Sequence, residues 1–170
     1  MKFVLINGPS CSGKSSIIKT VLKEKDRYFH LSYDALKWSF SHYEAPKHYK
    51  EVQEIVRAVA ATVCGMKYNM ISDAGLYKAS REKLFKIARA QGYEIIEINF
   101  EAEYDMLLKR FEERVAQAKA TPERKISNLS VDRFKELYDI YQSEKNPNAI
   151  LFKTDEQNSE EIVSAVLKLL

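Results

Sequence analysis

The sequence predicts an α/β fold, with an open, mostly parallel five-stranded sheet and helices on both of its faces. Short apolar runs alternate five times with segments of helical periodicity, which is the pattern of repeated strand–helix–strand units. The four prolines all lie outside the interiors of the predicted elements, as the missing proline N–H requires. A length of 170 residues suits one compact domain, and we assign residues 1–170 to it.

The predicted strands are short and largely apolar. The first covers residues 2–7 and ends at Gly8 and Pro9, as a buried strand of a parallel sheet would. The other four are predicted at residues 28–31, 69–72, 93–100 and 149–153.

Apolar residues spaced three and four apart predict the helices. Gly92 ends the fourth of them, because glycine favours the backbone conformation that terminates a helix. Residues 118–129 are polar, and we expect an irregular connection there. The predicted helices cover residues 14–24, 35–41, 47–67, 79–91, 102–117, 131–142 and 159–170.

Composition excludes several classes of protein. The net charge of +3 is too small to indicate a nucleic-acid partner by itself. The two cysteines, Cys11 and Cys64, have no spacing typical of a zinc site or a disulfide scaffold. No apolar run approaches 18 residues, so we expect a soluble, cytoplasmic protein without a membrane span. The oligomeric state is not predicted.

A phosphate-binding motif follows the first predicted strand. Residues 8–15 match G-x-x-x-x-G-K-[ST], with a strand before them and a helix after. In such a loop the backbone N–H groups and the start of the helix bind phosphate oxygens. Lys14 is expected to reach the β- and γ-phosphates of a nucleoside triphosphate, and Ser15 to ligate Mg²⁺. The predicted nucleotide-binding residues are Gly8, Pro9, Ser10, Cys11, Ser12, Gly13, Lys14, Ser15 and Ser16.

The other motifs narrow the class of phosphate-loop protein. The chain has no N-K-x-D sequence of the kind that selects guanine, and residues 72–75 lack the D-x-x-G spacing of a GTPase switch. A motor or large ATPase requires a longer chain. These exclusions favour a kinase, in which a second substrate binds beside the γ-phosphate.

Several segments resemble small P-loop kinases. Residues 3–16 (FVLINGPSCSGKSS), 30–34 (HLSYD), 70–73 (MISD) and 149–162 are similar to the chloramphenicol phosphotransferase-like family, and all but the last also to the kinase domain of phage-type polynucleotide kinases. The resemblance implies a P-loop NTPase fold with a helical lid. It also implies a kinase that uses ATP and Mg²⁺ to transfer the γ-phosphoryl group to a hydroxyl.

The resemblance implies roles for two carboxylates. Asp34 matches the general base that accepts the proton of the acceptor hydroxyl, although an aspartate before the helix at 35–41 is also a favoured N-cap. Asp73 matches an acid that supports Mg²⁺ or contacts the acceptor, and the alternative is a turn or cap residue.

Residues 109–129 match the lid of these kinases. Arg110 and Arg114 lie one helical turn apart and share a face. The resemblance implies that these arginines stabilise charge on the transferring phosphoryl group, with weaker candidates at Arg124 and Lys125. The alternative is a solvated helix face, since two glutamates lie between the first two arginines.

Residues 35–68 match the helices that cover the acceptor, and they are rich in aromatic and basic side chains. Lys37 stands where the polynucleotide kinases have a phosphate-contacting arginine, and lysine lacks the bidentate geometry of that group. This difference and the low net charge favour a small-molecule alcohol, and nucleic acid is possible but not favoured. Two alternatives stay open: a kinase for the 5′-hydroxyl of a polynucleotide or nucleoside, and a nucleotide-binding regulator with little turnover.

Overall fold

A computed structural model of the chain describes residues 1–45, 47–120 and 130–170. Five strands form one sheet in the order β2-β3-β1-β4-β5, and every neighbouring pair is parallel. The strands are β1 (Lys2–Asn7), β2 (Tyr28–Leu31), β3 (Asn69–Ser72), β4 (Glu94–Glu101) and β5 (Ile150–Lys153).

Among the described residues, seven helices surround the sheet. Their bounds are α1 (Lys14–Glu24), α2 (Tyr33–Lys37), α3 (Tyr49–Gly65), α4 (Lys78–Ala90), α5 (Tyr104–Lys119), α6 (Val131–Glu144) and α7 (Ser159–Leu169). In the described part of the chain, none of them is both long and apolar enough to cross a bilayer.

The central strand β1 is buried on both faces. Its side chains alternate, so that Phe3 and Leu5 pack with α3 and α4, whereas Val4 and Ile6 pack with α1 and α7. A third cluster joins α5 to α6 through the stacked rings of Phe111 and Phe134, whose centroids are 4.8 Å apart. The sheet therefore separates two cores, and the α5–α6 pair adds its own.

The predicted fold class is confirmed, and the sheet is parallel throughout. The short second helix is the main local difference, because it covers Tyr33–Lys37 instead of 35–41. Its N-cap is Ser32, whose hydroxyl accepts a hydrogen bond from the Ala35 N–H, so the alternative interpretation of Asp34 as the N-cap was wrong. The predicted end of α4 is confirmed, with Gly92 in the left-handed conformation at φ 78°.

A buried arginine connects α4 to the sheet and to the end of α6. The Arg81 Nε lies 3.0 Å from Glu97 Oε1 on β4. Its guanidinium also donates to the carbonyls of Gly75, Leu76 and Glu144. Because the ion pair is almost completely buried, each charge depends on the other to offset its desolvation.

Replacement of this arginine by methionine should destabilise the fold. In the Arg81→Met variant Glu97 would remain as a buried, unpaired carboxylate, and we expect a loss of about 3–5 kcal/mol in the free energy of unfolding. Urea denaturation measures it. The matched control is Arg89→Met, since Arg89 is exposed and lies 3.9 Å from Glu82. The control should lower the free energy of unfolding by less than about 1 kcal/mol. Equal losses in the two variants would contradict the structural role of Arg81.

Candidate active site

A cleft of about 700 Å³ opens at the carboxyl ends of the strands, where ligands bind in open parallel sheets. The loop after β1 forms its floor, the ends of β2 and β3 form one side, and α5 and α6 form the other. All nine predicted nucleotide-binding residues line this cleft, and so do Asp34, Lys37, Asp73, Arg110 and Arg114.

The loop after β1 is shaped by two glycines. A Cβ at Gly8 would lie 2.4 Å from the Phe100 carbonyl oxygen, so only glycine fits beside β4. Gly13 adopts φ 86° and precedes α1. Among the described residues no side chain caps α1, and its first turn carries no acidic residue. The helix start therefore retains free N–H donors and its positive dipole end, which suits an anion.

Lys14 points back into this loop. Its Nζ donates to the carbonyls of Gly8 and Pro9, at 2.7 and 2.6 Å. Burial lowers the pKa of Lys14 to about 8, an effect that the nearby carboxylates of Asp73 and Asp34 partly oppose. The ammonium is therefore held by neutral carbonyls, and a phosphate would be a stronger partner for it.

Asp73 follows β3 and orients the start of α2. Its carboxylate accepts hydrogen bonds from the Tyr33 N–H at 3.2 Å and from the Ser32 hydroxyl at 3.4 Å. The side chain is mostly buried. The structure therefore joins Asp73 to the residue that precedes Asp34, although 40 positions separate the two segments.

Asp34 lies in the first turn of α2 with its side chain 68% exposed. The Lys37 Nζ lies 2.6 Å from its Oδ1, whereas the Lys37 side chain is only 12% exposed. The Lys37 ammonium also lies over the rings of Trp38 and Tyr43, at 5.0 and 6.0 Å. One oxygen of Asp34 is thus paired with a sheltered cation, and the carboxylate faces the cleft.

The two lid arginines differ in their contacts. Arg110 donates to the hydroxyl and carbonyl oxygens of Thr154, directly after β5. Arg114 contributes positive charge near Lys14. Its place on the cleft wall and near the loop lysine makes Arg114 the better placed of the two for a phosphate. Arg124, Lys125 and the rest of the predicted lid from residue 121 to 129 lie outside the described residues.

The structure adds cleft residues that the sequence did not indicate. Arg133 reaches the cleft from α6, where it pairs with Glu136 at 2.5 Å. Gln53 reaches it from α3, and Tyr77 from the start of α4. No motif marks these positions, because each follows the ordinary periodicity of an amphipathic helix. In the described ranges no cluster of three or more histidine, cysteine or acidic side chains could hold a metal by itself.

A family model described as an AAA domain matches residues 3–137, which is most of the chain. The chain belongs to this AAA domain family. The match covers the phosphate loop, both carboxylates and the α5 arginines of the cleft. No curated protein matches the sequence closely.

Solved structures extend the comparison of this AAA domain to nearly its full length. A candidate kinase from Chloroflexus aurantiacus is 16% identical, with a TM-score of 0.72 over 99% of this chain and 98% of that one. The Mycobacterium tuberculosis APS kinase CysC, in complex with AMPPNP and APS, is 18% identical, with a TM-score of 0.64 over 99% and 96%. These similarities confirm the predicted P-loop kinase fold.

A third structure bears on the resemblance to polynucleotide kinases that the sequence predicted. A chain of the Pnkp1/Rnl/Hen1 RNA repair complex is 18% identical, with a TM-score of 0.67. The alignment covers 84% of this AAA domain and 44% of that chain. At this level of identity the three structures establish the shared fold and not a shared substrate.

The two carboxylates should differ in their effect on stability. Loss of Asp73 in an Asp73→Ala variant removes acceptors for two hydrogen bonds at a mostly buried position, and we expect a cost of about 2 kcal/mol. Asp34→Ala should cost less than about 1 kcal/mol, because Asp34 is exposed and the Lys37 ammonium keeps its contacts with the rings of Trp38 and Tyr43. Thermal and urea denaturation of both variants measure the difference. A larger loss in the free energy of unfolding for Asp34→Ala than for Asp73→Ala would contradict the role of Asp73 in holding the start of α2.

Proposed function

We propose that this protein is a kinase that uses ATP and Mg²⁺ to phosphorylate a hydroxyl group of a small molecule. The main support for the proposal is the arrangement of side chains and backbone N–H groups in one cleft. The uncapped start of α1 and Lys14 lie on its floor, and the exposed carboxylate of Asp34 lies on its side. An anion-binding floor beside an exposed carboxylate is what transfer to a hydroxyl requires.

The residues of the cleft fit a triphosphate and a magnesium ion. The backbone of residues 8–16, the α1 N–H groups and Lys14 would hold the β- and γ-phosphates. Ser15 and Asp73 are oxygen donors in the same cleft and would hold Mg²⁺, which usually keeps several waters and only one or two protein ligands. When bound, the ion neutralises charge on the phosphate oxygens.

Asp34 would act as the general base. As the acceptor oxygen forms its bond to the γ-phosphorus, and the bond from that phosphorus to the β-phosphate oxygen breaks, Asp34 takes the hydroxyl proton. Lys37 holds one carboxylate oxygen at 2.6 Å and so orients the other toward the acceptor. Arg114, with Arg110 and Arg133 nearby on the cleft wall, would stabilise the charge of the transferring group.

The acceptor side of the cleft supports a small molecule. It is lined by tyrosine rings from α2, α3 and α4 together with Ala74 and Leu76. Lys37, the candidate cation there, is already paired with Asp34. A polynucleotide would require a row of free cations for its phosphates. Cys11 and Cys64 are both free thiols among the described residues, and we propose a cytoplasmic location on that basis.

Loss of the proposed base should abolish transfer and preserve nucleotide binding. In Asp34→Asn the amide cannot accept the hydroxyl proton, and we expect the transfer rate to fall about 10²- to 10⁴-fold. The measurement is transfer of label from γ-labelled ATP to a panel of hydroxyl acceptors, with Mg²⁺ present. Affinity for ATP, measured by calorimetry, should change less than about threefold.

Two results would contradict the kinase proposal. Tight ATP binding with no transfer to any acceptor in the panel would favour a nucleotide-binding regulator. Full transfer activity in Asp34→Asn would remove Asp34 as the base. The control Asp132→Asn changes an exposed aspartate at the start of α6 and should leave both measurements unchanged.

Nucleotide affinity should fall as the pH rises through about 8. Burial lowers the pKa of Lys14 to about 8, so the free protein loses this charge above that pH, whereas phosphate binds the charged form. Affinity should then decrease by up to about tenfold for each pH unit. Calorimetry between pH 7 and 9.5 measures it. The Lys14→Met variant should bind more weakly and lack this decline, and a wild-type affinity that is constant across the range would contradict the assignment.

A further inference from the structure

Gln53 on α3 is a buried polar side chain that faces the cleft. It is 6% exposed and lines the cleft wall. Among the described residues nothing donates a hydrogen bond to its Oε1. Buried amide groups in proteins are nearly always paired, so an unpaired one requires an explanation.

Packing alone does not explain a glutamine at this position. The neighbouring buried residues of α3 include Val52, Val56 and Ala60, all apolar. A methionine would fill the same volume without an unpaired oxygen. The last torsion of a glutamine side chain is broad, so rotation of the carboxamide can present its oxygen to the cleft that Gln53 lines. A bound ligand would supply the missing partner.

Tyrosine rings line the same cleft as this carboxamide. Tyr49 precedes Gln53 by one helical turn, and its ring centroid is 5.9 Å from that of Tyr33 and 5.5 Å from that of Tyr77. The Tyr49 hydroxyl is bonded to Ser80, and the Tyr33 hydroxyl to Tyr43, at 3.2 and 3.0 Å. Since the hydroxyls are bonded within the protein, the rings present mainly their faces and edges to a ligand.

The tyrosines connect the carboxamide to the proposed base. Asp34 directly follows Tyr33, and Gln53 lies one turn from Tyr49, whose ring contacts Tyr33. Since Gln53 and Asp34 line the same cleft as these rings, we expect a planar molecule packed on the rings to meet Gln53 at one end and Asp34 at the other. The hydroxyl to be phosphorylated belongs at the Asp34 end.

We propose that the acceptor is a hydroxyl-bearing molecule with a planar ring that presents an amide-type edge, an N–H donor beside a C=O acceptor, to Gln53. The carboxamide would accept from the ring N–H and donate to the ring carbonyl, a matched pair of hydrogen bonds. Nucleosides with a lactam edge, such as uridine, thymidine and inosine, belong to this class. The inference rests on the proposed kinase function, because it concerns the acceptor subsite of the same cleft.

The test compares uridine with N3-methyluridine, which differs by replacement of the ring N–H with a methyl group. Equilibrium dialysis measures binding of each to the full chain, with a non-hydrolysable ATP analogue present. We expect uridine to bind at least about tenfold more tightly than its methylated form. In Gln53→Met the preference should disappear, mainly through weaker uridine binding. The control Gln91→Met, at the exposed end of α4, should retain it.

Stability separates a ligand-binding glutamine from a structural one. Because the Gln53 oxygen has no partner among the described residues, Gln53→Met should unfold at the same temperature as the wild type or higher. A lower unfolding temperature, with the uridine preference intact, would identify a structural side chain and overturn the proposal.

Binding and transfer distinguish the two proposals. Equal affinity for uridine and its methylated form overturns the acceptor inference, as does transfer to sugars or polyols that is insensitive to Gln53→Met. In either case phosphoryl transfer itself still supports the kinase. If uridine, thymidine and inosine all fail to bind, the inference is wrong. If the uridine preference is observed and depends on Gln53, yet no phosphate moves, the subsite stands and the kinase proposal fails.

Discussion

The free N-terminus of α1, at the carboxyl end of the central strand, is the feature on which the rest of the site depends. Because the sheet is parallel throughout, the ends of β1, β2 and β3 and the start of α1 open at one edge. No described side chain caps α1, so the N–H donors of its first turn are available to an outside anion. The Lys14 ammonium adds a positive charge, and it donates hydrogen bonds to two backbone carbonyls. The floor of the cleft is thus prepared for phosphate before any ligand binds.

The walls of the cleft are held by polar contacts between distant segments. Asp73 fixes the start of α2 through the Tyr33 N–H, and Arg81 connects the loop after β3 to β4 and to the end of α6. These bonds are buried or partly buried, where loss of one partner is costly. They hold the backbone of Asp34 while its side chain stays exposed, which suits the proton-accepting role that we propose for it.

The sequence predicted the elements well and the contacts between them less well. Strands and long helices follow from periodicity, and the phosphate loop from a motif whose spacing has a direct chemical cause. The start of α2 was misplaced because the capping group is Ser32, and its neighbour Asp73 comes from another strand. Gln53 and Arg133 were not identified, since only the packing of α3 against the sheet and of α6 against α5 brings them to the cleft. The roles of Asp34 and Arg114 stay predictions that rest on their position.

A crystal structure with a non-hydrolysable ATP analogue and Mg²⁺ tests the central claim most directly. In that structure we expect the phosphates to lie at the start of α1 and the γ-phosphate to face Asp34. We also expect the Lys14 Nζ to move from the Gly8 and Pro9 carbonyls to the phosphate oxygens. A triphosphate bound outside this cleft, or one whose γ-phosphate points away from Asp34 with Lys14 still on the carbonyls, would contradict it.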